Sequence, residues 1–157
     1  MAAWLRDGDA AAVHLRNGGA YSTPSTFFGG VGPAVESVLC QTIGTTEMVL
    51  QSATHDPGEY FLRLFPAVPK DWPNVSFRNL RAEGAFEVSA RLQDKKLQYV
   101  RIKSLAGNAC RVELPRVGAV RAVGSRKFTL QKTTSRYGRP VYEIDLKRGE
   151  TVLLLCN

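Results

Sequence analysis

The residue types that most often perform catalysis or bind metals are few in this sequence and lie far apart along it. His14 and His55 are the only histidines, and no G-x-S-x-G pattern marks a nucleophilic serine for a triad. Cys40, Cys110 and Cys156 are odd in number and widely spaced, so they form neither a disulfide framework nor a paired-cysteine zinc site. The sequence therefore predicts no metal ion and no cofactor. We interpret His14 as a packed or surface residue and His55 as a loop residue.

Two further short patterns have ordinary structural explanations. Gly29-Gly30-Val31-Gly32 has no preceding strand and no Lys-Ser/Thr ending of a P-loop, so we interpret it as a glycine-rich loop. Asn74-Val75-Ser76 matches the glycosylation acceptor pattern, and we interpret it as the surface entry to a strand. Glycoside hydrolysis needs two carboxylates facing each other across a pocket, and residue spacing alone does not place such a pair.

Charge divides the 157 residues into two segments. Residues 1–56 carry two arginines, no lysine and five acids, a net charge of −3. Residues 57–157 carry nineteen bases and nine acids, a net charge of +10. Clustered bases can indicate a nucleic-acid partner, but the aromatic and glycine pattern of an RNA-binding sheet is absent. The bases fall mainly on outward positions of alternating segments, as do Arg91, Arg101, Lys103 and Arg111. We therefore predict a solvated basic face and no nucleic-acid partner.

Neither a membrane segment nor a signal peptide is predicted from the sequence. No run approaches the roughly 18 consecutive apolar residues that a transmembrane helix needs. Residues 1–9 contain two acids and lack the apolar core of a signal peptide. The sequence leaves the cellular compartment open.

The first segment reads as helices separated by a loop. Residues 2–5 resemble the end of one helix, and Asp9 is a candidate N-cap for a second helix over residues 10–16. Residues 21–33 are rich in Ser, Thr, Gly and Pro and are typical of a loop. A further helix is predicted over residues 37–51, although Gly44 and its neighbouring threonines weaken it.

The second segment alternates apolar and polar residues between turns. Phe86, Val88, Ala90 and Leu92 alternate with polar residues, which predicts a strand with one buried face. About nine short strands are predicted, over residues 60–65, 75–80, 86–93, 97–104, 110–114, 117–123, 126–132, 141–146 and 151–155. Most aromatic residues fall at core positions rather than on a sugar-stacking surface. The spacing predicts a mainly β chain, with an antiparallel sandwich over residues 57–157.

Several stretches of the chain resemble the C-terminal region of glycoside hydrolase family 95, a family of α-L-fucosidases with some related α-galactosidases. The similar stretches are residues 47–52 (EMVLQS), 62–73 (LRLFPAVPKDWP), 80–88 (LRAEGAFEV), 102–112 (IKSLAGNACRV) and 149–153 (GETVL). Residues 4–10 (WLRDGDA) are also similar to a family segment in which one barrel helix ends and the next begins. The order and spacing agree over nearly the whole second segment.

The resemblance implies an organisation for both segments. In family 95 an (α/α)6 barrel carries the active site and a small β-sandwich closes the chain. Residues 1–56 would then correspond to the last helices of the barrel, and residues 57–157 to the closing sandwich. Two or three helices do not close such a barrel, so we expect a C-terminal fragment or truncated relative that is inactive alone. The implied partners are an α-L-fucoside glycan and the remaining barrel segment.

The resemblance also implies one candidate catalytic residue. The family pattern Q-I-D-G-N-F-G-G, whose Asp acts on the base side of an inverting hydrolysis, lies shortly before the stretch that resembles residues 47–52. Counting back from Glu47 without a gap places Glu36 at the position of that Asp. Aligning residues 28–30 with F-G-G instead places Ser25 there and requires a gap. We prefer Glu36, because helix spacing tolerates insertions poorly and a helix N-terminus favours an ionised carboxylate.

Two other functions are carried as alternatives to the hydrolase fragment. One is a free-standing carbohydrate-binding sandwich without hydrolase activity, for which binding of a glycan by residues 57–157 would be the evidence. The other is an anion-binding or nucleic-acid-binding domain, whose affinity would fall steeply with salt.

Overall fold

The computed structural model describes residues 3, 6–19, 35–52 and 61–157. The chain divides into two compact units, which we describe separately. A helical unit comprises Met1–Val49 and Pro66–Asp71, and a β unit comprises Leu50–Phe65 and Trp72–Asn157. The boundary predicted between residues 56 and 57 lies outside the described residues. No described helix is long and apolar enough to cross a membrane.

The first helix of the helical unit, α1, spans Gly8–Gly19 and is capped by Asp7. The Asp7 carboxylate accepts a hydrogen bond from the Ala10 amide at 2.9 Å, and the Asp7 carbonyl accepts one from the Ala11 amide at 3.0 Å. These bonds satisfy amides that the first helical turn leaves unpaired. The prediction that Asp9 caps this helix was therefore wrong.

Asp9 has a different role in the same unit. Its carboxylate accepts a hydrogen bond from the Lys70 amide at 2.8 Å and forms an ion pair with Lys70 Nζ at 3.1 Å. Arg16, in the last turn of α1, forms an ion pair with Asp71 at 2.7 Å. These contacts join α1 to residues 66–71, which explains why that short connector belongs to the helical unit.

The second helix, α2, spans Val35–Val49. It begins two residues before the predicted start and ends two residues before the predicted end. Thr45 and Thr46 donate side-chain hydrogen bonds to the carbonyls of Gln41 and Thr42, at 2.9 and 3.0 Å. The hydroxyl groups of these weak helix formers are therefore satisfied within the helix itself.

The β unit contains ten strands in the part of the chain that the structure describes. They are β1 (Leu50–Ser52), β2 (Phe61–Leu64), β3 (Val75–Ala82), β4 (Phe86–Gln93), β5 (Lys96–Ser104), β6 (Cys110–Glu113), β7 (Val120–Gly124), β8 (Gln131–Thr134), β9 (Pro140–Ile144) and β10 (Thr151–Cys156). One sheet has the order β1-β2-β6-β9-β8 and the other β3-β4-β5-β10-β7. All pairings are antiparallel except β2 with β6, which is parallel. The predicted β-sandwich is confirmed.

The sandwich core follows the alternation of the sequence. Phe86, Val88, Ala90 and Leu92 of β4 are all buried, as predicted. Core residues elsewhere in the β unit are also buried, including Leu62, Leu64, Ile102, Val112, Leu114, Ile144, Leu146, Val152 and Leu154. Burial of this many aliphatic side chains is the main force that holds the two sheets together.

The strands of the β unit differ from the predicted ones mainly at their ends. Leu50 and Gln51 were predicted as the end of a helix, but Leu50–Ser52 is a strand that pairs with β2, from Leu50↔Leu64 to Ser52↔Leu62. The strand predicted over residues 126–132 lies at Gln131–Thr134, because Arg126 is held by contacts outside the sheet.

Candidate functional site

The predicted catalytic residue Glu36 lies in the first turn of α2 (Val35–Val49). Its side chain lies outside the part of the structure that is described, as do Ser25, His55 and the glycine-rich segment 29–32. The catalytic role of Glu36 therefore stays a prediction.

The helical unit contains a cleft of about 380 Å³ between α1 and α2. Its lining residues are Ala3, Ala11, His14, Leu15, Cys40, Gln41 and Gly44. A Cβ added to Gly44 would lie 3.6 Å from the Leu15 side chain, which reflects how closely the two helices approach each other. The buried Gln41 Nε2 atom finds no hydrogen-bond acceptor in the described part of the structure.

The chemistry available to this cleft is limited. His14 is exposed, as one of the two interpretations of that residue predicted. None of the described lining residues is an acid, so they do not provide the pair of carboxylates that glycoside hydrolysis requires. The described lining of this cleft therefore contributes the His14 imidazole, the Cys40 thiol and the Gln41 amide as its polar side chains.

Metal binding and cysteine chemistry find no support in the described residues either. No three His, Cys, Asp or Glu side chains among them come together as metal ligands. Cys110 and Cys156 are buried thiols. Burial raises the pKa of Cys110 far above its ordinary value and raises the pKa of Cys156 to about 11. Both thiols stay protonated near neutral pH, so neither is a nucleophile.

The strongest polar cluster of the sandwich is centred on Arg126 and Glu150. Arg126 Nε donates to Glu150 Oε1 at 2.8 Å, and Nη2 donates to Glu150 Oε2 at 3.2 Å and to the Asp145 carbonyl at 2.8 Å. The guanidinium also lies over the Phe128 ring, 4.6 Å from its centroid. These contacts fix the Arg126 side chain in one position.

The same cluster sets the ionisation of its acid. The hydrogen bond from Arg126 is the main reason that the pKa of Glu150 lies below its ordinary value. The Lys147 amide, which donates to Glu150 at 2.9 Å, lowers that pKa further. The pKa of Arg126 is raised in turn by its hydrogen bond to Glu150. Sequence reasoning did not find this pair, because the two residues are distant in the chain and no local pattern links them.

A polar depression of about 240 Å³ lies beside this cluster. It is lined by Ala109, Arg126, Phe128, Thr129, Gln131, Glu143 and Asp145. The Glu143 and Asp145 side chains are exposed. The depression therefore offers carboxylate, amide and hydroxyl groups beside a fixed guanidinium.

The described aromatic residues that the sequence assigned mostly to the core are divided between buried and partly exposed positions. Phe65 and Phe86 are buried, and Phe65 packs against Phe77 with 5.5 Å between ring centroids. Phe61, Phe77 and Trp72 are partly exposed. Arg63 and Arg111 cover Phe61 at 5.0 and 5.8 Å from its centroid, so the ring is not an open platform for a sugar.

The family of the chain follows from its sequence together with this fold. The model of the glycoside hydrolase family 95 C-terminal domain matches residues 52–154. The chain belongs to this family. A search of the curated proteins finds no significant match.

The family 95 C-terminal domain match extends from the last residue of β1 into β10. It therefore includes strands of both sheets and the Arg126–Glu150 cluster. The resemblance stated from the sequence is confirmed for this domain, and membership of the family implies a glycan substrate and a parent enzyme.

Proposed function

We propose that this chain is the C-terminal part of a family 95 glycoside hydrolase that acts on α-L-fucosides. In this proposal the sandwich is an accessory domain with a structural role beside the catalytic barrel. The helical unit supplies the last helices of that barrel. The observation that carries the proposal is the family match over residues 52–154.

Three exposed apolar side chains support the proposed role of the helical unit. Leu39 and Ile43 of α2 are each 60% exposed, and Val13 of α1 is 50% exposed. Leu39 and Ile43 are four residues apart and therefore lie on one face of α2. An apolar helix face of this kind is typical of a helix that packs against further helices. The remaining helices of a barrel would cover it.

An assay with two proteins tests this function. The 157-residue chain and a form extended upstream of Met1 by in-frame coding sequence are each incubated with an aryl α-L-fucoside. We expect hydrolysis by the extended protein only, because the chain alone lacks a pair of catalytic carboxylates in its described cleft. Hydrolysis by the short chain, or none by a folded extended protein, would contradict the proposal.

A substitution in the extended protein tests the proposed base-side role of Glu36. The variant Glu36→Gln removes the carboxylate and keeps nearly the same shape, so we expect kcat to fall by about 100-fold or more. Glu47→Gln, in the same helix, is the matched control and should retain most of the activity. Equal kcat values for Glu36→Gln and Glu47→Gln would mean that another residue acts as the catalytic base.

The polar depression beside Arg126 favours a second candidate function, a carbohydrate-binding sandwich without hydrolase activity. Its carboxylates and the Gln131 amide can form hydrogen bonds with sugar hydroxyls. A glycan array probed with the full chain tests this candidate. Binding that is lost in Glu143→Gln would support it, and no binding to any glycan would exclude it.

A further inference from the structure

The outer face of the sheet β3-β4-β5-β10-β7, here called the basic face, carries an excess of positive charge. Its side chains alternate with the buried core residues of the same strands. Its charged members include Arg78, Arg81, Glu87, Arg91, Lys96, Arg101, Lys103 and Arg121. Bases outnumber acids on this face, so it attracts anions.

Arg101, on the basic face, is oriented by hydrogen bonds to two neighbouring side chains. A bulge in β3 between Phe77 and Leu80 brings Asn79 into a left-handed conformation with φ of 54°. The backbone N–H of Asn79 donates to Ser89 Oγ at 3.0 Å, and the Ser89 hydroxyl donates to Asn79 Oδ1 at 3.3 Å. Arg101 Nη1 then donates to Asn79 Oδ1 at 3.4 Å and to Glu87 at 3.5 Å. The bulge and its partners therefore hold the guanidinium in place.

The other edge of the same guanidinium is open. Within the described residues, Arg101 Nε and Nη2 have no hydrogen-bond acceptor. Arg101 lines a shallow depression of about 570 Å³ together with Val123, Thr151, Leu153 and Glu150. The Glu150 carboxylate is already paired with Arg126, at 2.8 Å. An Nε–Nη2 edge matches the two oxygens of a carboxylate. The apolar side chains beside it can contact the C–H groups of a sugar ring.

Other bases of the basic face are equally open. Arg91, Lys103 and Arg121 have no ion-pair partner in the part of the chain that the structure describes. Arg91, Tyr99, Leu155 and Arg121 form one row across four adjacent strands. At about 4.8 Å between strands, that row is roughly 14 Å long. Arg91 and Arg121 therefore lie at the two ends of this row, and Arg101 lies in a neighbouring row.

We propose that the basic face binds an acidic polysaccharide, with a uronate carboxylate on the open edge of Arg101. A glycan is favoured because the inference builds on the proposed role in a glycan-degrading enzyme. Nucleic acid is disfavoured, because Tyr99 is the one aromatic side chain in the described rows of this face and successive bases need several.

Binding of the full chain to galacturonate oligomers, measured by calorimetry at low salt, tests this proposal. The same oligomers with all carboxylates methyl-esterified are the control ligand. We expect the esterified oligomers to bind at least about tenfold more weakly, since they lack the charge-assisted hydrogen bonds. Affinity for the acidic oligomers should also fall as salt is added. Equal affinity for both ligands, or equally tight binding of single-stranded DNA of the same length, would overturn the proposal.

Substitutions locate the site on the basic face. Arg101→Gln should weaken binding about tenfold or more, and Arg101→Lys should restore only part of the affinity because it lacks the two-pronged edge. Lys132→Gln is the matched control, since it removes one exposed base from β8 in the other sheet. Equal affinities for Arg101→Gln and Lys132→Gln would exclude Arg101 as the carboxylate-binding residue.

A second variant separates binding from folding. Arg101 contacts Glu87, so thermal melts of each variant check that the sandwich remains intact. Arg121→Gln breaks no side-chain hydrogen bond or ion pair within the described residues and should still weaken binding about threefold. Unchanged affinity in Arg121→Gln would contradict a ligand that spans the row. Because these measurements involve no hydrolysis, their failure leaves the fucoside assay as an independent test of the proposed function.

Discussion

Glu150 links the stability of the sandwich to pH at the level of one residue. Its side chain is 9% exposed and accepts hydrogen bonds from Arg126, the Lys147 amide and Ser125. These donors favour the ionised form, so the pKa of Glu150 is lower in the folded protein than its ordinary value of 4.5. The stabilising contribution is therefore complete above about pH 4.5 and is lost as pH falls through the folded pKa.

The variant Glu150→Gln tests this linkage. At pH 7 we expect its Tm to lie a few degrees below that of the wild type, because the charged hydrogen bonds to Arg126 are lost. The difference should shrink as the pH falls below 4.5, since the carboxylate of the unfolded protein is protonated first and that of the folded protein follows at its lower pKa. Glu143→Gln, which removes an exposed acid from the same side of the sandwich, should melt with the wild type at every pH. A Tm difference that is constant with pH would show that the ionisation of Glu150 does not stabilise the fold.

The helix cap shows how far single residues could be predicted. An Asp before α1 was expected to cap it, and both Asp7 and Asp9 are of the right type. The choice depends on where the helix begins, and helix ends are poorly determined by local sequence. Asp9 is used instead by Lys70, a residue distant in the chain. The contacts of the candidate site could not be predicted from local sequence either, because Arg101 and Arg126 contact residues far away in the chain.

At the level of elements, the alternation of apolar and polar residues predicted the strands that have one buried face and one exposed face. It failed for Leu50 and Gln51, which follow the apolar residues at the end of α2 without a break and form a strand by pairing with β2. It also did not predict the parallel pairing of β2 with β6, since strand order is a long-range property with no local signal. The solvent-facing bases of β4 and β5 were predicted correctly, because the period of two fixes which side chains point outward.

The hairpin between β4 and β5 offers a prediction at this level. Asp94 and Lys95 both have positive φ, 50° and 60°, the geometry of a type I′ turn. A left-handed conformation costs a non-glycine residue about 1–2 kcal/mol. Glycine avoids this cost but lowers the free energy of unfolding by about 0.5–1 kcal/mol, because the unfolded chain is more flexible at a glycine. Lys95→Gly should therefore raise the free energy of unfolding by about 0.5 kcal/mol, measured by urea denaturation.

The adjacent residue provides the control for the hairpin. Lys96 is the first residue of β5 and pairs with Gln93. Lys96→Gly removes the same charge and the same side chain but weakens a strand, so it should lower the free energy of unfolding by about 0.5–1 kcal/mol. If both variants changed stability in the same direction, the positive φ of Lys95 would not be a source of strain.

At the scale of the whole molecule, the excess positive charge and the most exposed apolar side chains lie in different units. The bases are concentrated in the sandwich, whose basic face keeps them in solvent. The most exposed large apolar side chains lie in the helical unit, at Leu39 and Ile43. A helix of three or four turns gains most of its stability from tertiary packing rather than from propensity. The proposed barrel partner would therefore stabilise the helical unit more than the sandwich.

A double substitution compared in two protein contexts tests that asymmetry. Complete burial of an apolar side chain of this size contributes about 1.5–3 kcal/mol to the free energy of unfolding. Leu39→Gln with Ile43→Gln should therefore destabilise the upstream-extended protein by about 2–4 kcal/mol and change the 157-residue chain by less than about 0.5 kcal/mol. Val123→Gln, on the basic face, should have a small effect in both contexts. Equal destabilisation by the double substitution in both proteins would mean that no further helices cover this face of α2.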